Sequence, residues 1–125
     1  MARILVVDDD RVLRGALRVV LEAAGYDVIE AGDGGAALRL YDGRAVDLLL
    51  IDIFMPERDG LEVIRTLRAA IPRPKIVAMS GRGPSGGVDV LEAAAAFGAA
   101  RTLRKPFESR DLLAVVRDVL GASGA

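Results

Sequence analysis

Five times along this chain a short strand-like run gives way to a segment whose apolar residues recur every three or four positions. The runs are RILVV (3–7), YDVIE (26–30), LLLI (48–51), KIVAM (75–79) and ARTLR (100–104). Such alternation is the pattern of a parallel α/β sheet with helices on both faces. Right-handed crossovers then leave few ways to join the units. The middle run, Leu48-Leu49-Leu50-Ile51, is apolar at every position, as expected of a strand buried on both faces. It is cut off by Asp52, and a buried carboxylate is costly unless something compensates it. Ile53-Phe54-Met55-Pro56 and a charged turn to Gly60 follow.

The segments between the runs carry start and stop signals. Asp10 is placed to N-cap a first helix marked by Leu13, Leu17, Val20, Leu21 and Ala24, with Gly25 as its stop. Asp33-Gly34-Gly35 opens a weak, Ala-rich second helix through Tyr41, stopped at Asp42-Gly43. Leu61, Ile64, Leu67 and Ile71 mark a third, ended by Pro72. Val88, Leu91, Ala94 and Ala95 mark a fourth. Leu112, Leu113, Val116, Val119 and Leu120 share one side of a last helix. The length of 125 residues suits one domain, expected over 1–121, with 122–125 as a frayed tail or linker stub.

Composition removes whole classes of chemistry. There is no Cys, hence no disulfide, thiolate zinc site or Cys nucleophile. There is no His, hence no Ser-His-Asp triad and no phosphohistidine carrier. Any bound metal must be held by oxygen, which favours a hard cation such as Mg2+. A net charge of -1 supplies no global basic field for nucleic acid or anionic membrane, so neither is expected as a direct partner. No segment approaches the ~18 apolar residues that span a bilayer. Met1-Ala2-Arg3 enters the first run at once, and the expected compartment is the cytoplasm.

The polar residues at the run ends form a set. Asp8 and Asp9 follow the first run, Asp52 ends the third, Ser80 follows the fourth and Lys105 the fifth. Parallel strands place all their C-termini on one edge, where open α/β sheets bind ligands. Three carboxylates gathered there repel one another unless a cation intervenes. A divalent cation, an ammonium, a hydroxyl and a backbone N–H together suit the oxygens of a phosphoryl group. One carboxylate is then available as nucleophile, and Asp52 on the middle run is the candidate. Only Lys75 and Lys105 among 17 basic residues are lysines, and a slender ammonium fits a crowded phosphoryl pocket better than a guanidinium fork.

In order and spacing, VVDDD, LLLIDIFMPERDG, VAMSG and LRKPF resemble the receiver domain of two-component response regulators, over Arg3 to Leu120. The resemblance implies a flavodoxin-like, doubly wound, five-stranded parallel sheet in order 2-1-3-4-5 with five helices. It implies that Asp52 accepts a phosphoryl group from a sensor histidine kinase or phosphotransfer protein. Asp9, Asp52 and the Phe54 backbone carbonyl would hold Mg2+, with Asp8 acting through water. Ser80, the Gly81 backbone N–H and Lys105 would hold phosphoryl oxygens, with Arg82 near the pocket mouth and a cis Lys105–Pro106 bond. Family members often carry an aromatic switch residue at the position of Thr102. Thr102 is smaller, and the output face (fourth helix, fifth strand, last helix) is expected to respond through the loop after Ser80. The output would be a changed surface read by a downstream protein, and the domain would not be a turnover enzyme.

Other readings use the same letters. An aspartyl-phosphate-type small-molecule phosphatase needs a second Asp two residues after the nucleophile, where this chain has Phe54. A flavin or nucleotide binder needs a hydroxyl- or Gly-rich loop after the first strand, where this chain has carboxylates. Gly81, Gly83 and Gly86 spell G-x-G-x-x-G, but after the fourth strand and with Pro84 inside, so a loop that permits movement is preferred. Asp10 is better explained as a helix cap than as a metal ligand.

Overall fold

The computed structural model describes residues 2–43, 45–53, 60–69, 74–80 and 98–124. In chain order these form β1 (Arg3–Val7), α1 (Arg11–Ala23), β2 (Asp27–Ala31), α2 (Gly34–Gly43), β3 (Leu48–Asp52), α3 (Gly60–Arg68), β4 (Lys75–Ser80), β5 (Arg101–Arg104) and α4 (Ser109–Gly124). The five strands make one parallel sheet in order β2-β1-β3-β4-β5. The expected architecture is therefore present. The helix expected around Val88–Ala95, Phe54, and the loop from Gly81 with Arg82 lie outside the described residues.

Strand alternation sorts the apolar residues into two cores. Ile4, Val6, Leu48, Leu50, Val77, Met79 and Leu103 face the layer of α1 and α4, against Leu17, Leu21, Leu112 and Val116. Leu5, Val7, Leu49, Ile51, Ile76 and Ala78 face the opposite layer, against Ala37 of α2 and Val63, Ile64 and Leu67 of α3. Every residue of β3 is buried, which explains its unbroken apolar run: neither face meets water.

Local signals set the helix ends. Asp10 caps α1, its carboxylate accepting the N–H groups of Val12 (3.0 Å) and Leu13 (3.1 Å). Gly25, at φ +98°, takes the left-handed conformation that ends the helix. Asp33 accepts the Ala36 N–H at 2.8 Å at the start of α2. Two ends differ from the sequence expectation. Ser80 is the last residue of β4 rather than the first after it, because its carbonyl accepts the Lys105 N–H at 2.9 Å and prolongs the β4–β5 pairing. Residues 122–124, expected within a frayed tail or linker stub, continue α4 as far as Gly124.

Gly60 joins the α3 start to the end of β3. Its N–H donates to the Ile53 carbonyl at 3.2 Å. A Cβ there would lie 2.5 Å from both the Asp52 carbonyl oxygen and the Ile53 Cα. No side chain fits without moving the backbone that carries Asp52. Gly60→Ala is expected to cost about 1–3 kcal/mol in urea denaturation, the usual range for overpacking a close contact. An unchanged midpoint would show that α3 withdraws freely.

Candidate functional site at the sheet edge

Register and alternation together build the site. Val7 pairs with Ile51, and Asp52 pairs with Met79. Along β1, Ile4 and Val6 face the α1/α4 layer, so the next residue of that parity is Asp8. On β3 the series is Leu48, Leu50, Asp52, and on β5 it runs from Leu103 to Lys105. The three charged side chains therefore leave the sheet on the same face, at the C-terminal edge. β1 and β3 are adjacent, and the chain reverses direction across the sheet between them, the place where such folds bind ligands.

Lys105 joins the set. Its Nζ lies 2.8 Å from Asp8 Oδ2 and 3.0 Å from Asp52 Oδ2, a single ammonium between two carboxylates. Asp8 is fully buried, Asp52 is 6% exposed, and Lys105 is half-buried. Burial works against the Lys105 charge, but hydrogen bonds to Asp8 and Asp52 and the field of both carboxylates outweigh it. The group is held above the ordinary lysine value. The cis Lys105–Pro106 bond expected from the resemblance is present.

Asp9 is exposed beside this pair, and carboxylate oxygens of Asp8, Asp9 and Asp52 lie within 4.8 Å of one another. Three ionised carboxylates and one ammonium leave a formal charge of -2. The donor set is all oxygen, so the cluster fits a hard divalent cation. Ser80 is buried, and its hydroxyl has no hydrogen-bond partner among the described residues. Strand alternation places it on the other face of the sheet from Asp52, with Ile76 and Ala78. Such a hydroxyl is uncommon in a folded interior and suits a ligand-dependent contact. Thr102 lies half-buried on β5 opposite Ala78.

Sequence reasoning thus placed Asp8, Asp9, Asp52 and Lys105 together, with Ser80 on the same edge. It did not single out Arg14, whose Nη1 donates to the Asp8 carbonyl at 2.7 Å, or Glu30, which holds Arg14. The i,i+4 spacing of Arg14 and Arg18 marks a common stripe of α1, but only the β1–β2 pairing puts Glu30 beside it.

A doubly wound α/β protein with an acidic, lysine-bridged site at its switch point is the class that fold and site define. Comparison with known proteins narrows it: the family model described as the response regulator receiver domain matches residues 4–117, and the chain belongs to that family. It is similar to the transcriptional regulatory protein CpxR of Escherichia coli K12, 40% identical over 123 residues, covering 98% of this chain and 51% of that protein. It is also similar to the response regulator MprA of a Mycobacterium species (strain KMS), 42% identical over 118 residues, covering 94% of this chain and 50% of the relative. The chain thus spans about half the length of these curated relatives. Among solved structures, a receiver domain protein from Clostridium thermocellum superposes with a TM-score of 0.91 at 25% identity, covering 99% of this chain and 98% of that one. The response regulator TrrA of Thermotoga maritima, solved with Mg2+ and BeF, superposes with a TM-score of 0.84 at 31% identity, covering 96% and 100%. The receiver domain is a signalling switch rather than a turnover enzyme, which sets aside the small-molecule phosphatase reading.

The raised Lys105 value carries a sign. Its contribution to stability is complete below the ordinary lysine value of 10.5 and is lost as pH rises through the elevated one. Lys105→Met removes the ammonium that two buried carboxylates share and is expected to cost about 3 kcal/mol near neutral pH. The gap between variant and wild type narrows at alkaline pH, where the wild type loses its own ammonium. Urea denaturation from about pH 9 to well above pH 10.5 measures it, and a gap that stays constant beyond 10.5 would contradict the pairing.

Proposed function

We propose that this receiver accepts a phosphoryl group on Asp52 from a phosphohistidine of a sensor histidine kinase or phosphotransfer protein, in the cytoplasm. The observation that carries the reading is the Lys105 ammonium shared between Asp8 and Asp52 inside an all-oxygen acidic cluster. An Asp52 carboxylate oxygen attacks phosphorus, the donor's N–P bond breaks, and the imidazole nitrogen leaves with the bonding pair. The product is an acyl phosphate on Asp52.

Asp9, Asp52 and the Phe54 backbone carbonyl, with Asp8 through water, would hold Mg2+; the Mg2+–BeF complex of the TrrA structure supports this choice of ion. Bound there, Mg2+ neutralises the cluster and stabilises charge on the phosphoryl oxygens. The chain's own groups do the rest. Lys105 exchanges its contact with the unmodified Asp52 carboxylate for one with a phosphoryl oxygen. Ser80 supplies the hydroxyl that has no partner among the described residues, and the Gly81 N–H donates to another oxygen. When Ser80 turns toward the phosphoryl group it withdraws from its present packing, and the loop after it passes the change to the output face, with Thr102, across the β4–β5 pair from Ala78, at the switch position. The output is an altered surface on β5 and α4, read by a downstream protein.

Incubation with Mg2+ and acetyl phosphate is expected to raise the intact mass by about 80 Da, the mass of one added phosphoryl group in place of a proton. Asp52→Asn is expected to show no gain. A wild type that is never modified, or an Asp52→Asn variant modified to the same extent, overturns the proposal.

A further inference from the structure

The three carboxylates of the acidic cluster are not held alike. The Asp8 carboxylate is fixed on both oxygens, Oδ2 by Lys105 at 2.8 Å and Oδ1 by the Asp10 N–H at 2.9 Å. Asp52 is fixed by Lys105 at 3.0 Å. The Asp9 side chain is exposed and has no hydrogen-bond partner among the described residues. Its direction therefore depends on the backbone that carries it.

That backbone is clamped from α1. The Asp8 N–H donates to the Ala31 carbonyl at 3.2 Å, and the Asp8 carbonyl accepts Arg14 Nη1 at 2.7 Å. The carbonyl belongs to the planar peptide group that leads into Asp9, so fixing it fixes the plane from which the Asp9 Cα departs. Arg14 is itself held. Its Nε donates to Glu30 Oε1 at 2.9 Å, and the other Glu30 oxygen accepts Arg18 Nη1 at 2.9 Å. With Nε engaged, the guanidinium plane is set and Nη1 is aimed at Asp8. The hydrogen bond from Arg18 foremost, and that from Arg14, hold the Glu30 carboxyl below its usual range against the effect of burial, so the brace stays ionised at neutral pH.

We propose that Arg14, braced by Glu30, is a positioning residue for the cation site: it sets the Asp8–Asp9 peptide plane and so aims the Asp9 carboxylate at the cation. The inference rests on the reading of the cluster as a Mg2+ site. It differs in sign from a field effect. A guanidinium beside a cation site repels the cation, so removing its charge without any change in geometry would tighten binding. Loss of positioning weakens it.

The test is Mg2+ affinity of the full chain by NMR titration, with the stability of each metal-free variant measured alongside. Arg14→Gln is expected to bind Mg2+ roughly tenfold more weakly than wild type, the lower end of the range for partners that orient metal ligands. Arg14→Lys keeps the charge but cannot reach Glu30 and the Asp8 carbonyl together, and is expected to lose a similar factor; it serves alone if Arg14→Gln does not fold. In an Asp9→Asn background the Arg14 substitutions are expected to have no further effect. If Asp9→Asn binds no Mg2+ at all, Asp9 is the indispensable ligand and the Arg14 variants alone decide. Unchanged or tighter binding in the folded Arg14 variants overturns the positioning role and leaves the phosphoryl switch standing. A full loss that persists in the Asp9→Asn background also overturns it. A wild type that binds no Mg2+ overturns both readings of the cluster.

Discussion

The site depends on one ammonium placed between two carboxylates. Asp8 directly follows β1 and Asp52 ends the adjacent β3, and both leave the sheet on the same face, so their charges are forced together at a nearly dry edge. Without compensation that arrangement would neutralise one of them or open the edge to water. Lys105 removes the conflict from the end of a third strand, just past β5, at 2.8 and 3.0 Å. The cluster still carries negative charge because Asp9 adds a third carboxylate. It is stable enough to exist in the folded protein and unbalanced enough to attract a divalent cation.

The sheet makes this possible by being sealed elsewhere. Both faces of β3 are covered, and Leu48 to Ile51 are buried in two separate cores. Polar groups are tolerated only where the strands run out. There the backbone continues to find partners: Ile53 N–H to the Met79 carbonyl at 3.0 Å, and Lys105 N–H to the Ser80 carbonyl at 2.9 Å. These bonds extend the pairing one residue past the strands and hold Asp52, Ser80 and Lys105 in register. The Ser80 hydroxyl is the exception, buried without a partner among the described residues. It is the group with most to gain from a new acceptor.

The same economy appears around α1. Asp10 caps the helix, Arg14 reaches back to the Asp8 carbonyl, and Glu30 of β2 ties Arg14 and Arg18 to the sheet. A single turn of helix thus stabilises its own start and fixes the backbone of the acidic turn. Gly60 does the corresponding work at β3, where the α3 start approaches the Asp52 carbonyl too closely for any side chain.

The sequence by itself determined the parallel α/β class, because runs such as Leu48–Ile51 are apolar at every position and helical periods separate them. It also determined which groups meet, since residues just past parallel strands share an edge, and it marked the caps at Asp10 and Gly25 through local chemistry that needs no neighbour. Strand order 2-1-3-4-5 came from the resemblance alone. Tertiary structure decided what depends on pairing across the sheet. It set the common face of Asp8, Asp52 and Lys105, placed Ser80 inside β4 on the other face, and brought Gly60 against Asp52. It also placed Glu30 opposite Arg14. These depend on register between strands distant in the chain, and no local period or motif records which residue of one strand lies beside which residue of the next.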